Sequence, residues 1–302
     1  MSESAIAVDV RGVSKRYRRV WALRECEFEL PANQVIALVG ANGAGKSTLM
    51  SIISGLLPAT SGTVLVGGRR VGAGGAQAGN RVAILAQHKP VYRDFNAADM
   101  LRFGRSTNRV WDQRRALSWL ERFEVPLTRR CGKLSGGQRA QVALAVALGS
   151  RPDVLLLDEP LSNLDPVARS EVAGELMGQV ADGEMTLMLS THIVSELVGV
   201  ADHLLLLDAG RAALCGDVER LLASHLRLTG PRADQPPGPG TVVHAQHADR
   251  QSTFIVRLPD TPVLPAIVAP GWSAQPVSLE ELVVTYLKAQ RRTRQALEAA
   301  AA

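Results

Sequence analysis

Between Val39 and Met50 the chain reads VGANGAGKSTLM: three glycines, a lysine and two hydroxyls, then an apolar turn. Glycines give backbone freedom beside a positive charge, and the flanks say what that freedom serves. Ahead of it, Val35-Ile36-Ala37-Leu38-Val39 is short, apolar and mostly β-branched, which predicts a buried strand. Behind it, Leu49, Ile52, Ile53, Leu56 and Leu57 recur at helical spacing, predicting a helix over Ser47 to Leu57. Strand, glycine loop and helix form the setting in which Gly40-x-x-x-x-Gly45-Lys46-Ser47 becomes a phosphate cradle. Backbone N–H groups can then point at phosphate oxygens, and the helix N-terminus adds its dipole. Lys46 is expected to reach the β and γ phosphates, and the Ser47 hydroxyl suits Mg²⁺. The expected nucleotide contacts are Gly40, Asn42, Gly43, Ala44, Gly45, Lys46, Ser47 and Thr48.

Composition narrows the setting. The 302 residues allow one large or two modest domains, and 46% hydrophobic content suffices for a packed core. No apolar run approaches the roughly 18 residues of a membrane span, and Met-Ser-Glu-Ser does not open like a secretory leader. Cys26, Cys131 and Cys215 are widely spaced and odd in number, which fits free thiols in a reducing cytosol. The net charge of +5 could draw nucleic acid, but aromatic content of 4% leaves little for base stacking. The cations are 29 Arg against 5 Lys and are scattered, a compositional bias rather than a binding surface, so no nucleic acid is expected.

Along the chain, Ile6–Val10 and Cys26–Leu30 alternate like strands, and Pro31–Gln34 reads as a turn in which Asn33 tolerates positive φ. Gly67–Gly79 is a glycine-rich connection, and Arg114–Phe123 has helical spacing. Val154–Leu157, Thr186–Leu189 and Leu204–Leu207 are further buried strands, so a mainly parallel α/β sheet follows. GPRADQPPGPG, residues 230–240, carries seven Pro or Gly among eleven and predicts a linker. Beyond it lie a strand over Thr253–Leu258 and a helix opened by Ser278 and Glu281 at capping-box spacing. The expected division is 1–229, a linker over 230–240, and a small accessory domain over 241–302. No motif repeats, so the chain holds parts for one nucleotide site.

A phosphate cradle alone leaves kinases, GTPases and motors open. The stretch Leu134-Ser135-Gly136-Gly137-Gln138, followed by Val154-Leu155-Leu156-Leu157-Asp158-Glu159-Pro160, narrows the class. With these motifs in this order, residues 6 to about 225 resemble the ATP-binding-cassette (ABC) ATPases. The residues alone agree to this extent: Ser135 and two glycines precede a helix from Gln138, a second anion-receptive N-terminus. The resemblance implies a P-loop NTPase fold with a mainly parallel sheet, an antiparallel β subdomain and a helical signature subdomain. To these the chain adds a small C-terminal α+β extension. It also implies that the signature of one protomer caps the ATP held by the P-loop of another, in a homo- or heterodimer.

The same resemblance assigns the remaining parts. Asp158, with Ser47 and Gln87, matches the Mg²⁺ site; Glu159 matches the general base; and His192 matches the histidine that touches the γ-phosphate. Ser162, Asn163, Leu164 and Asp165 match the loop that crosses the dimer interface, and Tyr17 matches the aromatic that stacks on adenine. Val146 stands where many relatives carry arginine, and Asn33 where glycine is commoner. The implied protein is an ATP-hydrolysing subunit, cytoplasmic and peripheral on the membrane, that powers a separate integral membrane permease. The short Gln87–Ser135 segment and the tail ending Leu282–Leu287 resemble those of ATPase subunits of bacterial exporters and multidrug systems, which implies export of a small molecule or drug. The alternative is a non-transport cassette ATPase associated with translation or DNA. Translation cassettes typically carry two cassettes per chain, and chromosome ATPases interrupt theirs with a long coiled coil; neither feature is present here.

Overall fold

The computed structural model describes residues 5–72, 82–88, 91–160, 166–183, 185–191, 193–259 and 269–301. The chain opens with two long strands, β1 (Ile6–Tyr17) and β2 (Val20–Pro31), paired antiparallel. The predicted strand β3 (Val35–Val39) runs into the glycine loop and α1 (Lys46–Ile53). The helix stops four residues short of Leu57, because Gly55 turns the chain at φ 76°. Asn33 takes φ 55°, as its residue type allows.

Strands β4 (Ser61–Val66) and β5 (Arg69–Arg70) extend the first sheet to the order β2-β1-β4-β5. After β6 (Val82–Leu85) come three helices, α2 (Ala97–Thr107), α3 (Gln113–Arg122) and α4 (Gly136–Gly149). Then follow β7 (Val154–Asp158), α5 (Pro166–Ala181), β8 (Thr186–Thr191), β9 (His203–Asp208) and β10 (Arg211–Asp217). The central sheet runs β10-β9-β3-β8-β7-β6, parallel except for the antiparallel edge strand β10. β3, β7 and β8 are buried along their whole length, which is why their centres read as continuous apolar runs.

Side chains alternate across this sheet, so one strand feeds two cores. Leu155 and Leu157 join the helical layer with Leu101, Leu120, Leu144 and Leu176. Val154 and Leu156 face the other way, onto Leu49, Ile53 and the antiparallel sheet. The helical layer is fixed by its caps. Asn96 and Asp99 close a capping box at α2, and Ser135 and Gln138 close one at α4.

The C-terminal unit begins earlier than the sequence suggests. After α6 (Val218–Ala223), β11 (His225–Pro231) crosses residue 229, so Gly230 and Pro231 belong to a strand and not to a linker. β11 pairs with β13 (Gln251–Arg257) and β14 (Ser273–Pro276), and β12 (Thr241–His247) completes the antiparallel order β12-β13-β11-β14. Gly230 serves close approach here: a Cβ on it would lie 2.2 Å from the Trp272 ring. The closing helix α7 (Leu279–Ala301) opens with the Ser278 hydroxyl accepting from Glu281 N–H at 3.1 Å. Its Leu279, Leu282 and Val283 are buried with Ala37, Val39, Leu204 and Leu206 of the central sheet. The tail is therefore packed on β9 and β10 of the central sheet and shares a buried cluster with the strand that carries the glycine loop, where a Pro/Gly linker predicts few crossing contacts.

Candidate nucleotide site

The loop from Gly40 to Gly45 leaves the carboxyl end of β3, where open parallel sheets place their ligands. Two glycines are imposed by neighbours. Gly45 caps α1 at φ 106°, and a Cβ there would lie 2.5 Å from the Ala22 carbonyl oxygen. A Cβ on Gly40 would lie 2.3 Å from the Leu207 carbonyl oxygen. The loop is thus wedged between β2 and the end of β9.

Lys46 is buried, and its Nζ donates to the carbonyls of Gly40 at 2.8 Å and Ala41 at 3.2 Å. Burial pulls its pKa below the ordinary lysine value, and the nearby Glu159 and Asp158 carboxylates oppose that shift. A charge held by two carbonyls in a low-dielectric cradle is poised for a stronger anion. Around it a cavity of about 500 Å³ is lined by Ala22, Asn42, Gly43, Gly45, Lys46, Ser47, Thr48, Gln87, Asp158 and Glu159. Nine of those residues are the ones expected from the sequence; Ala22 is the newcomer.

At the back wall, Gln87 Nε2 donates to Glu159 Oε2 at 2.9 Å. Glu159 has a left-handed backbone, φ 49°. Its N–H donates to Ser190 Oγ at 3.0 Å, and that hydroxyl donates to Asp158 Oδ1 at 2.5 Å. Ser190 is absent from the sequence expectations; its one signal is a polar residue ending an apolar strand just before His192. Ser47, Gln87 and Asp158 offer oxygen donors in one cavity, and no cluster of three His, Cys, Asp or Glu exists among the described residues. A hydroxyl and a carboxylate, completed by phosphate oxygens, fit Mg²⁺ rather than a softer metal.

Some expected residues sit elsewhere. Gly40 and Ala44 build the loop without lining the cavity, and Ala44 is buried with its carbonyl accepting from Gly210 N–H at 3.0 Å. Tyr17 is exposed on β1, with Lys15 Nζ 5.4 Å from its ring centre, and does not line the cavity. Ser162, Asn163, Leu164, Asp165 and His192 lie outside the described residues. Ser135, Gly136, Gly137 and Gln138 line a different cavity of about 670 Å³, together with residues of α3, α4 and α5. Leu134 points into the helical core and is buried. The two cavities share no residue.

Glycine loop, buried lysine and paired acids at the end of a parallel sheet, with a capped serine–glycine helix on a separate layer, define a P-loop nucleotide-binding cassette. The family model described as ABC transporter matches residues 23–162. Over 228 residues the chain is 31% identical to the Nod factor export ATP-binding protein I of Rhizobium sp. (strain N33), covering 74% of this chain and 75% of that one. Over 222 residues it is 34% identical to the molybdenum import ATP-binding protein ModC of Mycobacterium tuberculosis (strain CDC 1551 / Oshkosh), covering 69% of this chain. The chain spans 60% of the length of that relative. A solved structure described as an ATP binding subunit of an ABC transporter superposes with a TM-score of 0.66 at 26% identity, covering 72% of this chain and 92% of that one. The chain belongs to the ATP-binding proteins of the ABC transporter family.

Proposed function

We propose that this protein is the ATP-hydrolysing subunit of a transport system, and that it works as a dimer of cassettes against a separate membrane permease. The observation that carries the dimer is the separation of the two phosphate-receptive sites. Lys46 with Asp158 and Glu159 line one cavity, Ser135 with Gly136 and Gly137 line another, and no residue is common to both. In this reading the signature that meets a nucleotide on the P-loop is supplied by a second cassette, as the family resemblance implies. Homodimer and heterodimer serve equally here.

In that site the loop N–H groups and Lys46 hold the phosphates, and Ser47, Gln87 and Asp158 are the residues that would hold Mg²⁺. Bound there, Mg²⁺ would neutralise charge on the phosphate oxygens. Glu159 Oε takes a proton from the attacking water, with Gln87 fixing the carboxylate at 2.9 Å. His192 supplies a γ-phosphate contact, Ser162–Asp165 cross the dimer interface, and Tyr17 reaches adenine once nucleotide is bound, as the family resemblance implies. The unit C-terminal to the cassette starts at His225, where the β11 sheet begins.

Among the described residues no helix is long and apolar enough to cross a membrane. In this reading, as the family resemblance implies, a partner supplies the spans and this subunit sits on their cytoplasmic side. Export of a small molecule is the direction we favour. Its support is the match to a Nod factor export protein over 75% of that protein's length, against 60% for the molybdenum import protein. The test is Glu159→Gln in the full chain. It should retain ATP, lose at least about 100-fold in turnover, and elute as an ATP-dependent dimer. Turnover equal to wild type removes Glu159 from the mechanism.

A further inference from the structure

We propose that Ser190 is a positioning residue of the hydrolytic site, one hydroxyl that fixes the Glu159 backbone and the Asp158 carboxylate together. This rests on the roles given above to those two acids. Ser190 is the register partner of Asp158 across the β7–β8 ladder and is 1% exposed. A carboxylate only accepts, so the hydroxyl proton goes to Asp158 at 2.5 Å and an oxygen lone pair is left for Glu159 N–H at 3.0 Å. The amide at one end and the carboxylate at the other polarise the hydroxyl in the same sense.

Glu159 has reason to need an anchor. Its φ of 49° lies in the left-handed region, disfavoured for any residue with a Cβ and kept only where the surroundings over-determine it. It follows β7 directly, and a strand continued in extended geometry would turn successive side chains to opposite faces. With the left-handed step, Asp158 and Glu159 both line the phosphate cavity and Glu159 meets Gln87. The Ser190 hydroxyl holds the amide at that step. The three residues before it, Leu187, Met188 and Leu189, are buried and apolar, so packing alone does not ask for a hydroxyl here.

The full chain is compared as wild type, Ser190→Ala, Ser190→Thr, Glu159→Gln and the Ser190→Ala/Glu159→Gln pair. ATP turnover at saturating Mg²⁺, ATP affinity and melting temperature are measured for each. Ser190→Ala is expected to lower kcat about tenfold with ATP affinity within about twofold, the loss of one hydrogen bond felt in turnover alone. Ser190→Thr, which keeps the hydroxyl, recovers most of that loss. In the Glu159→Gln background Ser190→Ala takes clearly less than tenfold from the residual turnover, since the part that acts through Glu159 is already lost and only the Asp158 contact remains. Unchanged kcat in Ser190→Ala overturns the proposal, as does Ser190→Thr performing no better than Ser190→Ala. A loss that multiplies in full onto Glu159→Gln overturns it too. If Ser190→Ala melts below the assay temperature, Ser190→Cys, a near-isosteric poor acceptor, replaces it and must show the same loss. The underlying reading fails separately: a Glu159→Gln chain that hydrolyses at the wild-type rate removes the base, and this proposal with it.

Discussion

Mixing a Lys46→Ala chain with a Ser135→Arg chain separates the two halves of the proposed composite site. Lys46 is the buried cation of the cradle, held by the Gly40 and Ala41 carbonyls. Truncating a buried, hydrogen-bonded charge costs about 2–5 kcal/mol of its partner's binding, roughly 30- to 4,000-fold. Ser135 is exposed at the start of α4, so an arginine there projects into the signature cavity and costs the helix about 1 kcal/mol of capping. The buried face of α4, Ala140 to Leu148, keeps the helix in place. Each mutant homodimer then carries one defect in both sites. In an equal mixture with free exchange, half the dimers are mixed, and each mixed dimer has one intact site and one doubly defective site. Activity should return to about a quarter of wild type, well above the roughly one-thirtieth ceiling of the Lys46→Ala chain. Turnover is measured with a coupled assay and nucleotide trapping is read beside it. Mixed dimers demonstrated by differential tagging, with neither turnover nor trapping above the average of the two mutants, refute the composite site.

Four further outcomes rest on particular contacts. Gly45→Ala places a Cβ 2.5 Å from the Ala22 carbonyl oxygen at φ 106°, and strain of about 1–3 kcal/mol should weaken ATP binding by about 5- to 150-fold by equilibrium dialysis. Leu282→Ala, at a fully buried α7 position, should cost roughly 2–5 kcal/mol in urea unfolding, and truncation after Ser224 should yield insoluble protein; a soluble, ATP-binding product would show the tail to be dispensable. His225 is fully buried with Nδ1 donating to the Leu221 carbonyl at 2.7 Å and Nε2 accepting from Tyr286 at 2.9 Å, and burial depresses its pKa below the ordinary 6.5. The unfolded chain binds that proton more readily, so stability is lost as pH falls through about 6.5; the melting temperature should drop between pH 7.5 and 5.5, and less steeply in His225→Gln.

What could be read from the sequence was whatever a short pattern dictates by itself. The centres of β3, β7, β8 and β9 are continuous apolar runs because they are buried on both faces, and that burial writes itself into composition. The cap at Ser278 was legible because the hydroxyl and its partner N–H lie three residues apart, and the same spacing underlies the Ser135 cap that the structure adds. Long-range approach leaves no such trace. Gly230 looks like a linker glycine, yet it makes room for Trp272, more than forty residues away. Ala22 lines the cavity because β2 crosses the glycine loop, which nothing near Ala22 announces. Ser190 owes its contacts to parallel pairing with β7, a register that depends on an intervening helix. Leu134 is a motif residue that packs into the helical core, while Ser135 to Gln138 beside it line the signature cavity.

The path from the C-terminal unit to the phosphate cradle runs through β3, whose five side chains divide among three cores. Val35 belongs to the helical layer, Ile36 and Leu38 to the layer under the antiparallel sheet, and Ala37 and Val39 to the cluster shared with α7. Val39 is the last residue before Gly40, so the side chain that seats the start of the loop lies in the same buried cluster as Leu282 and Val283, joined through Leu204 and Leu206 of β9. Packed interiors transmit a missing methyl group rather than absorb it. The Gly40 backbone has no slack to take up such a shift, since its Cα already faces the Leu207 carbonyl. A change in α7 should therefore reach nucleotide affinity through the loop as well as global stability through the core. The two effects separate in one measurement: Val283→Ala should weaken ATP binding at temperatures where the chain is still fully folded, whereas the exposed neighbour Val284→Ala should alter neither.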